Sequence, residues 1–195
     1  EENVYEKSVN MLKGAMDTLI VESPEIISTD IGPIIDVESK NKIVNHIEKF
    51  SKIYQTKNYP SKGSFVPPTL IEINSIEEVK EEIFGPVVHV LRYKSKNLIK
   101  LCNNINNLGF GLTLGIHSRI ENIANTIIDN IDVGNIYINR DMVGAVVGVQ
   151  PFGGQGKSGT GPKAGGPRYL ENLCYEYSIS DNIASMGGNV SLMTS

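Results

Sequence analysis

The sequence has little that would carry metal, disulfide or nucleic-acid chemistry. Its 195 residues include two cysteines and three histidines. Cys102 and Cys174 make neither a disulfide framework nor a zinc cluster, so a reduced, cytoplasmic compartment is the expected setting. Basic residues are in deficit: 18 Lys and Arg against 22 Asp and Glu leave a net charge of −4. A nucleic-acid binder needs a basic surface to neutralise phosphates, so that class is excluded as an expectation. No apolar run approaches the roughly 18 residues that span a bilayer, and neither a membrane span nor a secretory signal is expected. What is present is 40% hydrophobic and 21% charged residues. That composition can bury a core, over a length suited to one large domain or two small ones.

The chain opens on Glu1 within a helical pattern. Tyr5, Val9, Leu12, Met16 and Leu19 fall three or four apart on one face, which predicts a piece of a longer protein. Asp36 is placed to cap a second helix with Ile43, Val44, Ile47 and Phe50 inward. Residues 56–68 read as loop and 69–73 as a strand. Ser75 and Glu78 make a capping-box pattern, predicting a helix from Ser75 to about Ile83, stopped by Gly85-Pro86. A strand over 87–93 follows, then a helix capped by Ser95 with Leu98, Leu101, Cys102 and Ile105 inward. The alternation continues as strand 112–117, helix 119–131 and strand 134–139. Strands alternating with helices predict an α/β fold, with a mainly parallel sheet and crossover helices. Beyond Asn139 glycine and proline dominate, and residues 173–179 read as a last strand.

Several patterns have plain readings. Gly154-Gln155-Gly156-Lys157-Ser158-Gly159 matches the dinucleotide fingerprint G-x-G-x-x-G. It needs a helix after it to receive a pyrophosphate, and Gly159-Thr160-Gly161-Pro162 cannot readily form one. Gly156-Lys157-Ser158 resembles the end of a phosphate loop, but Pro151 stands where its first glycine belongs. The expected form is a loop whose glycines let backbone pass close to backbone or ligand. His46, His89 and His117 are far apart without spaced metal partners, so they read as structural or surface residues and no metal site is expected. Cys102 lies on an apolar helix face and Cys174 in the last strand, neither beside an activating group. Glu77, Glu78, Glu81 and Glu82 read as a solvated helix face, except that Glu82 adjoins the turn Ile83-Phe84-Gly85-Pro86.

Glu81-Glu82-Ile83-Phe84-Gly85-Pro86-Val87 resembles a motif of the NAD(P)-dependent aldehyde dehydrogenase superfamily. Gly109-Phe110-Gly111-Leu112-Thr113 and Gly134-Asn135-Ile136-Tyr137-Ile138-Asn139 resemble its next blocks, in order. Asp30-Ile31-Gly32-Pro33-Ile34-Ile35 and Gly63-Ser64-Phe65-Val66-Pro67-Pro68-Thr69-Leu70 fit upstream. Val149-Gln150-Pro151-Phe152-Gly153-Gly154 and residues 158–167 are more specific. They are similar to the glutamate-semialdehyde (pyrroline-5-carboxylate) dehydrogenase branch, as found in bifunctional enzymes of proline catabolism. The resemblance extends through residues 187–192.

The resemblance implies oxidation of L-glutamate γ-semialdehyde to glutamate. A cysteine thiolate attacks the aldehyde, a hydride passes to NAD, and water releases the acid. It makes Glu82 the carboxylate that accepts hydrogen bonds from the nicotinamide ribose hydroxyls, and Phe84 the aromatic beside the nicotinamide. It makes Gly144 and Ala145 the anchor whose backbone N–H groups hold the substrate carboxylate, and Phe152 the aromatic against the substrate's aliphatic chain. No catalytic residue carries over, because neither Cys102 nor Cys174 occupies the nucleophile's motif. The nucleophile, the general-base glutamate, the oxyanion-hole asparagine and an NAD-binding portion are expected upstream. The implied organisation is a partial catalytic domain over 1–170, then an oligomerisation strand and tail over 171–195. The chain alone is expected to be inactive and to self-associate as a homo-oligomer. The alternative is a non-catalytic folded remnant or interaction module from a split gene.

Overall fold

The computed structural model describes residues 1–144 and 146–182. Its helices are α1 (Tyr5–Asp17), α2 (Val37–Ile47), α3 (Leu98–Leu108) and α4 (Glu121–Ile128). Its strands are β1 (Ile53–Gln55), β2 (Thr69–Ile73), β3 (Val87–Leu91), β4 (Phe110–Gly111), β5 (Thr113–Ile116), β6 (Asn135–Ile138) and β7 (Gln155–Gly156).

Strand β2 organises the packed half. Its neighbours are β1, antiparallel, and β3, parallel. Successive strand side chains point to opposite faces, and helices cover both. Leu70 packs with Tyr5, Val9 and Met16 of α1. Ile71 and Ile73 pack with Ile43 and Ile47 of α2. Leu70 and Ile71 are wholly buried, which is why β2 reads as apolar beyond Thr69 except for Glu72. That carboxylate faces α1, where it accepts from the Tyr5 hydroxyl at 3.0 Å and the Lys13 ammonium at 3.4 Å. Asp36 caps α2 as its position predicts, its Oδ1 accepting the Ser39 N–H at 2.7 Å.

The expected single, mainly parallel sheet is replaced by three small ones. They are β1-β2-β3, the antiparallel pair β4-β7 and the parallel pair β5-β6. Among the described residues α4, between β5 and β6, is the one α-helical crossover within a sheet. The helix expected from Ser75 to Ile83 is a single 3-10 turn, Ile76–Glu78. Its start is signalled correctly, since Glu78 Oε1 accepts the N–H groups of Asn74 and Ser75 at 2.8 and 2.9 Å. After it the backbone opens, and Ile76, Val79 and Ile83 all settle on the α2 core. Tertiary packing here outweighs the local preference of a short helix. Ser95 does not cap α3. It begins a 3-10 turn, Ser95–Asn97, and its hydroxyl donates to Glu1 Oε1 at 2.5 Å.

The terminal strand expected over 173–179 is absent within the chain. Glu171–Leu173 is a 3-10 turn and residues 174–182 form no element. Tyr175, Tyr177 and Ile179 are exposed, and a strand exists only where a partner edge satisfies its backbone. Residues 183–195, which include the resemblance at 187–192, lie outside the described residues. The longest described helix has 13 residues, and no described helix is long and apolar enough to cross a membrane.

Candidate functional site

Glu82 sits where residues 79–86 leave the 3-10 turn and enter β3. Short-range bonds fix this stretch: Gly85 N–H to Ile83 O at 3.0 Å and Val87 N–H to Gly85 O at 2.8 Å. Thr69 N–H then ties Pro86 O to β2 at 2.8 Å. Gly85 packs closely on α2: a Cβ there would lie 2.6 Å from Ile43 Cδ1, so that methyl would have to move. The turn therefore rests on the buried face of α2. Glu82 lines a cleft of about 510 Å3 whose other walls include His89, Phe110, Thr113, Lys157 and Ser158. Its carboxylate accepts no hydrogen bond from the described residues, so both oxygens can receive hydroxyl donors. Phe84 is 80% exposed and does not line this cleft.

The glycine-rich segment is attached to the β5-β6 pair through polar contacts. Asn135, buried, donates from Nδ2 to Leu112 O at 3.0 Å and to Gly153 O at 3.1 Å. Lys163 Nζ donates to Gly134 O and to Asn135 Oδ1. Gly134 must be glycine, since a Cβ would lie 1.8 Å from Gly153 O. Between Gly144 and Phe152 the chain makes a tight hairpin, with Val146 and Gln150 bonded both ways at 3.0 and 2.7 Å. Phe152 is held by exchanging two backbone bonds with Ala164, at 3.1 and 2.9 Å. Gly144 and Phe152 thus flank one short loop. Gly144 has φ +137, and its carbonyl accepts the Tyr137 hydroxyl at 3.0 Å. Ala145 lies outside the described residues.

Arg140, to which the motifs do not point, lies beside Gly144. Its guanidinium lies 5.2 Å from the centre of the Tyr137 ring and donates to Val143 O at 3.2 Å. A Cβ on Gly144 would sit 3.4 Å from its Nη2. The glycine fingerprint is a decoy in space as well. Gln155 and Gly156 pair with β4, no α-helix follows among the described residues, and Lys157 Nζ spans to Leu108 O at 2.8 Å.

Cys102 is buried, and burial pushes its thiol pKa up, away from thiolate character. Cys174 is exposed, with its Sγ directed at Leu170 O. Among the described residues no cluster of three or more His, Cys, Asp and Glu could hold a metal ion. The structure does bring two histidines together that are 43 positions apart: His46 Nε2 and His89 Nε2 are 2.8 Å from each other. No spacing rule could have linked them.

The sequence profile of the aldehyde dehydrogenase family matches residues 1–179. The bifunctional protein PutA of Klebsiella aerogenes is 50% identical over 184 residues, covering 89% of this chain and 14% of that protein. Among solved structures, PutA of Bradyrhizobium japonicum, in a mutant form, superposes with a TM-score of 0.85 at 44% identity, covering 96% of this chain and 20% of that one. A 1-pyrroline-5-carboxylate dehydrogenase from Thermus with bound NAD superposes at 0.76 with 33% identity, covering 86% and 33%. The chain spans about one seventh of the length of the Klebsiella relative. A profile match over nearly all the described residues, with this agreement in sequence and shape, places the chain in the aldehyde dehydrogenase family.

Proposed function

We propose that this sequence is the anchoring and cofactor-contacting part of an NAD-dependent L-glutamate γ-semialdehyde dehydrogenase. NAD, when bound in such an enzyme, accepts a hydride from the substrate's aldehyde carbon. Glu82 has the right chemistry for the ribose: an unpartnered carboxylate, on a turn backed by α2, at a cleft. Phe84 supplies an aromatic face on the same turn, free to cover one end of the cofactor.

The observation that carries the substrate reading is the loop at Gly144. A backbone at φ +137 can turn its amides toward a ligand, and the missing side chain leaves room for a carboxylate. Arg140 stands beside it as a donor, its charge offset in part by Asp141 Oδ1 at 3.6 Å from Nη2. Phe152, at the other end of the hairpin, supplies apolar surface for a short methylene chain. Ala145 belongs to the same anchor in this reading. The nucleophile, the general base and the remaining cofactor contacts come from polypeptide other than these 195 residues, so this chain orients and does not react. The tail from 171 onward is the oligomer contact: its exposed tyrosines and Ile179 suit the edge of another subunit's sheet.

The test uses two substrates in the active enzyme that contains this sequence. Gly144→Trp is expected to raise KM for glutamate semialdehyde at least tenfold, and to leave an aldehyde of similar length without a carboxylate unaffected. Equal losses on both would reject the anchor. The chain alone, mixed with NAD and glutamate semialdehyde, is expected to form no NADH.

A further inference from the structure

We propose that His46 and His89 form a pH-sensitive latch holding the Glu81–Pro86 turn and strand β3 against helix α2. The two imidazoles meet through Nε2 at 2.8 Å, edge to face, with ring centres 5.1 Å apart and planes at 82°. Phe50 closes one side, 5.1 Å from the His46 ring and 5.9 Å from the His89 ring. His46 is 4% exposed. An Nε2–Nε2 hydrogen bond needs a proton on one nitrogen and a lone pair on the other. It survives when both rings are neutral in opposite tautomers, and when a single ring is cationic. It cannot survive when both rings are protonated: no acceptor remains, and two like charges face each other in a partly buried contact.

The contact is placed where its loss would matter. His46 lies on α2, one turn from Ile43, whose side chain fills the space beside Gly85. His89 lies in β3, three residues beyond Pro86, and lines the same cleft as Glu82. The pair therefore joins the helix that backs the turn to the strand that leaves it. The charged groups around it come from every packed element. Lys49 just past the end of α2, Glu78 of the 3-10 turn, and Lys80 and Glu81 of the stretch after it line the His46 side. Glu81, Glu82 and Lys157 line the His89 side. Burial and then Lys49 disfavour the charged form of His46, and Glu81 offsets them in part. Burial and then His46 disfavour the charged form of His89.

Both folded-state pKa values thus lie below the ordinary histidine value of about 6.5. Below about pH 6.5 the unfolded chain takes up protons that the latched form excludes. Stability from the pair is complete above that pH and falls as pH drops toward the lowered values. The folding equilibrium constant falls by up to about tenfold per pH unit for each excluded proton.

The proposal is independent of what Glu82 binds, and the chain itself tests it. Imidazole resonances followed by NMR from pH 8 to 4.5 are expected to show two mutually dependent steps below the ordinary value. Amide exchange at Gly85 and in β3, corrected for the intrinsic effect of pH, is expected to quicken at the second step. The variant His89→Gln keeps a hydrogen-bonding side chain and cannot titrate, so its melting temperature should vary less between pH 7.5 and 5 than that of the native chain. Independent titration at ordinary values, or β3 exchange that does not change across the range, would overturn the latch. So would an unaltered pH dependence in a folded His89→Gln. The NMR and exchange measurements on the native chain decide the matter if that variant fails to fold.

Discussion

The two ends of this molecule are held by different forces. Up to β3, both core clusters form, with Leu70 and Ile71 wholly buried and helices on either face of β2. From Ile138 to residue 182, no described hydrophobic residue is buried. There the chain is held by backbone exchanges such as Phe152–Ala164, and by Asn135 and Lys163 reaching across to carbonyls. Burying apolar area gives cooperative, non-directional stability. Hydrogen bonds give position at a small net contribution, and they cost most when one partner is removed. The packed half resists unfolding, and the glycine-rich half is fixed in place by directional bonds.

Three substitutions put that difference to the test. Leu70→Ala has the largest expected effect, a loss of about 3 kcal/mol in global unfolding free energy measured by denaturant titration. A loss spread equally to residues 146–166, seen as the same gain in protease cutting there, would break the division. Lys163→Met leaves Gly134 O and Asn135 Oδ1 without their donor. It is expected to cost about 2 kcal/mol, confined to local opening of the glycine-rich segment and read as faster amide exchange at Phe152 and Ala164. Asp36→Ala removes the α2 cap and should cost about 1 kcal/mol. Because α2 belongs to the packed half, the loss should register as a lower melting temperature of the whole core.

Legibility in the sequence follows the same division. β2, the faces of α1 and α2 and the Asp36 cap of α2 could be read, because period and cap chemistry are local signals. The helix expected beyond Ser75 failed where Val79 and Ile83 were needed on the α2 core, a demand that no window of sequence contains. The two-residue strands β4 and β7 were invisible because their pairing joins residues about 45 positions apart. The glycines announced close approach without saying to what, and Gly134 against Gly153 O is the answer. Glu82 stood out by its place before Gly85-Pro86, whereas Arg140 and the His46–His89 contact depend on tertiary folding alone.

Dividing the sheet into separate pieces also bears on how this chain behaves in a tube. Among the described residues β3 has β2 on one side only, and β5 and β6 have only each other. Each therefore presents a row of backbone donors and acceptors to solvent, with Val88 and Ile138 partly uncovered alongside. Such a row recruits any extended peptide that reaches it, including those of neighbouring molecules. Encounters of that kind grow with the square of concentration. The useful shelf life of a solution is then governed by how crowded it is, and a high melting temperature would not lengthen it.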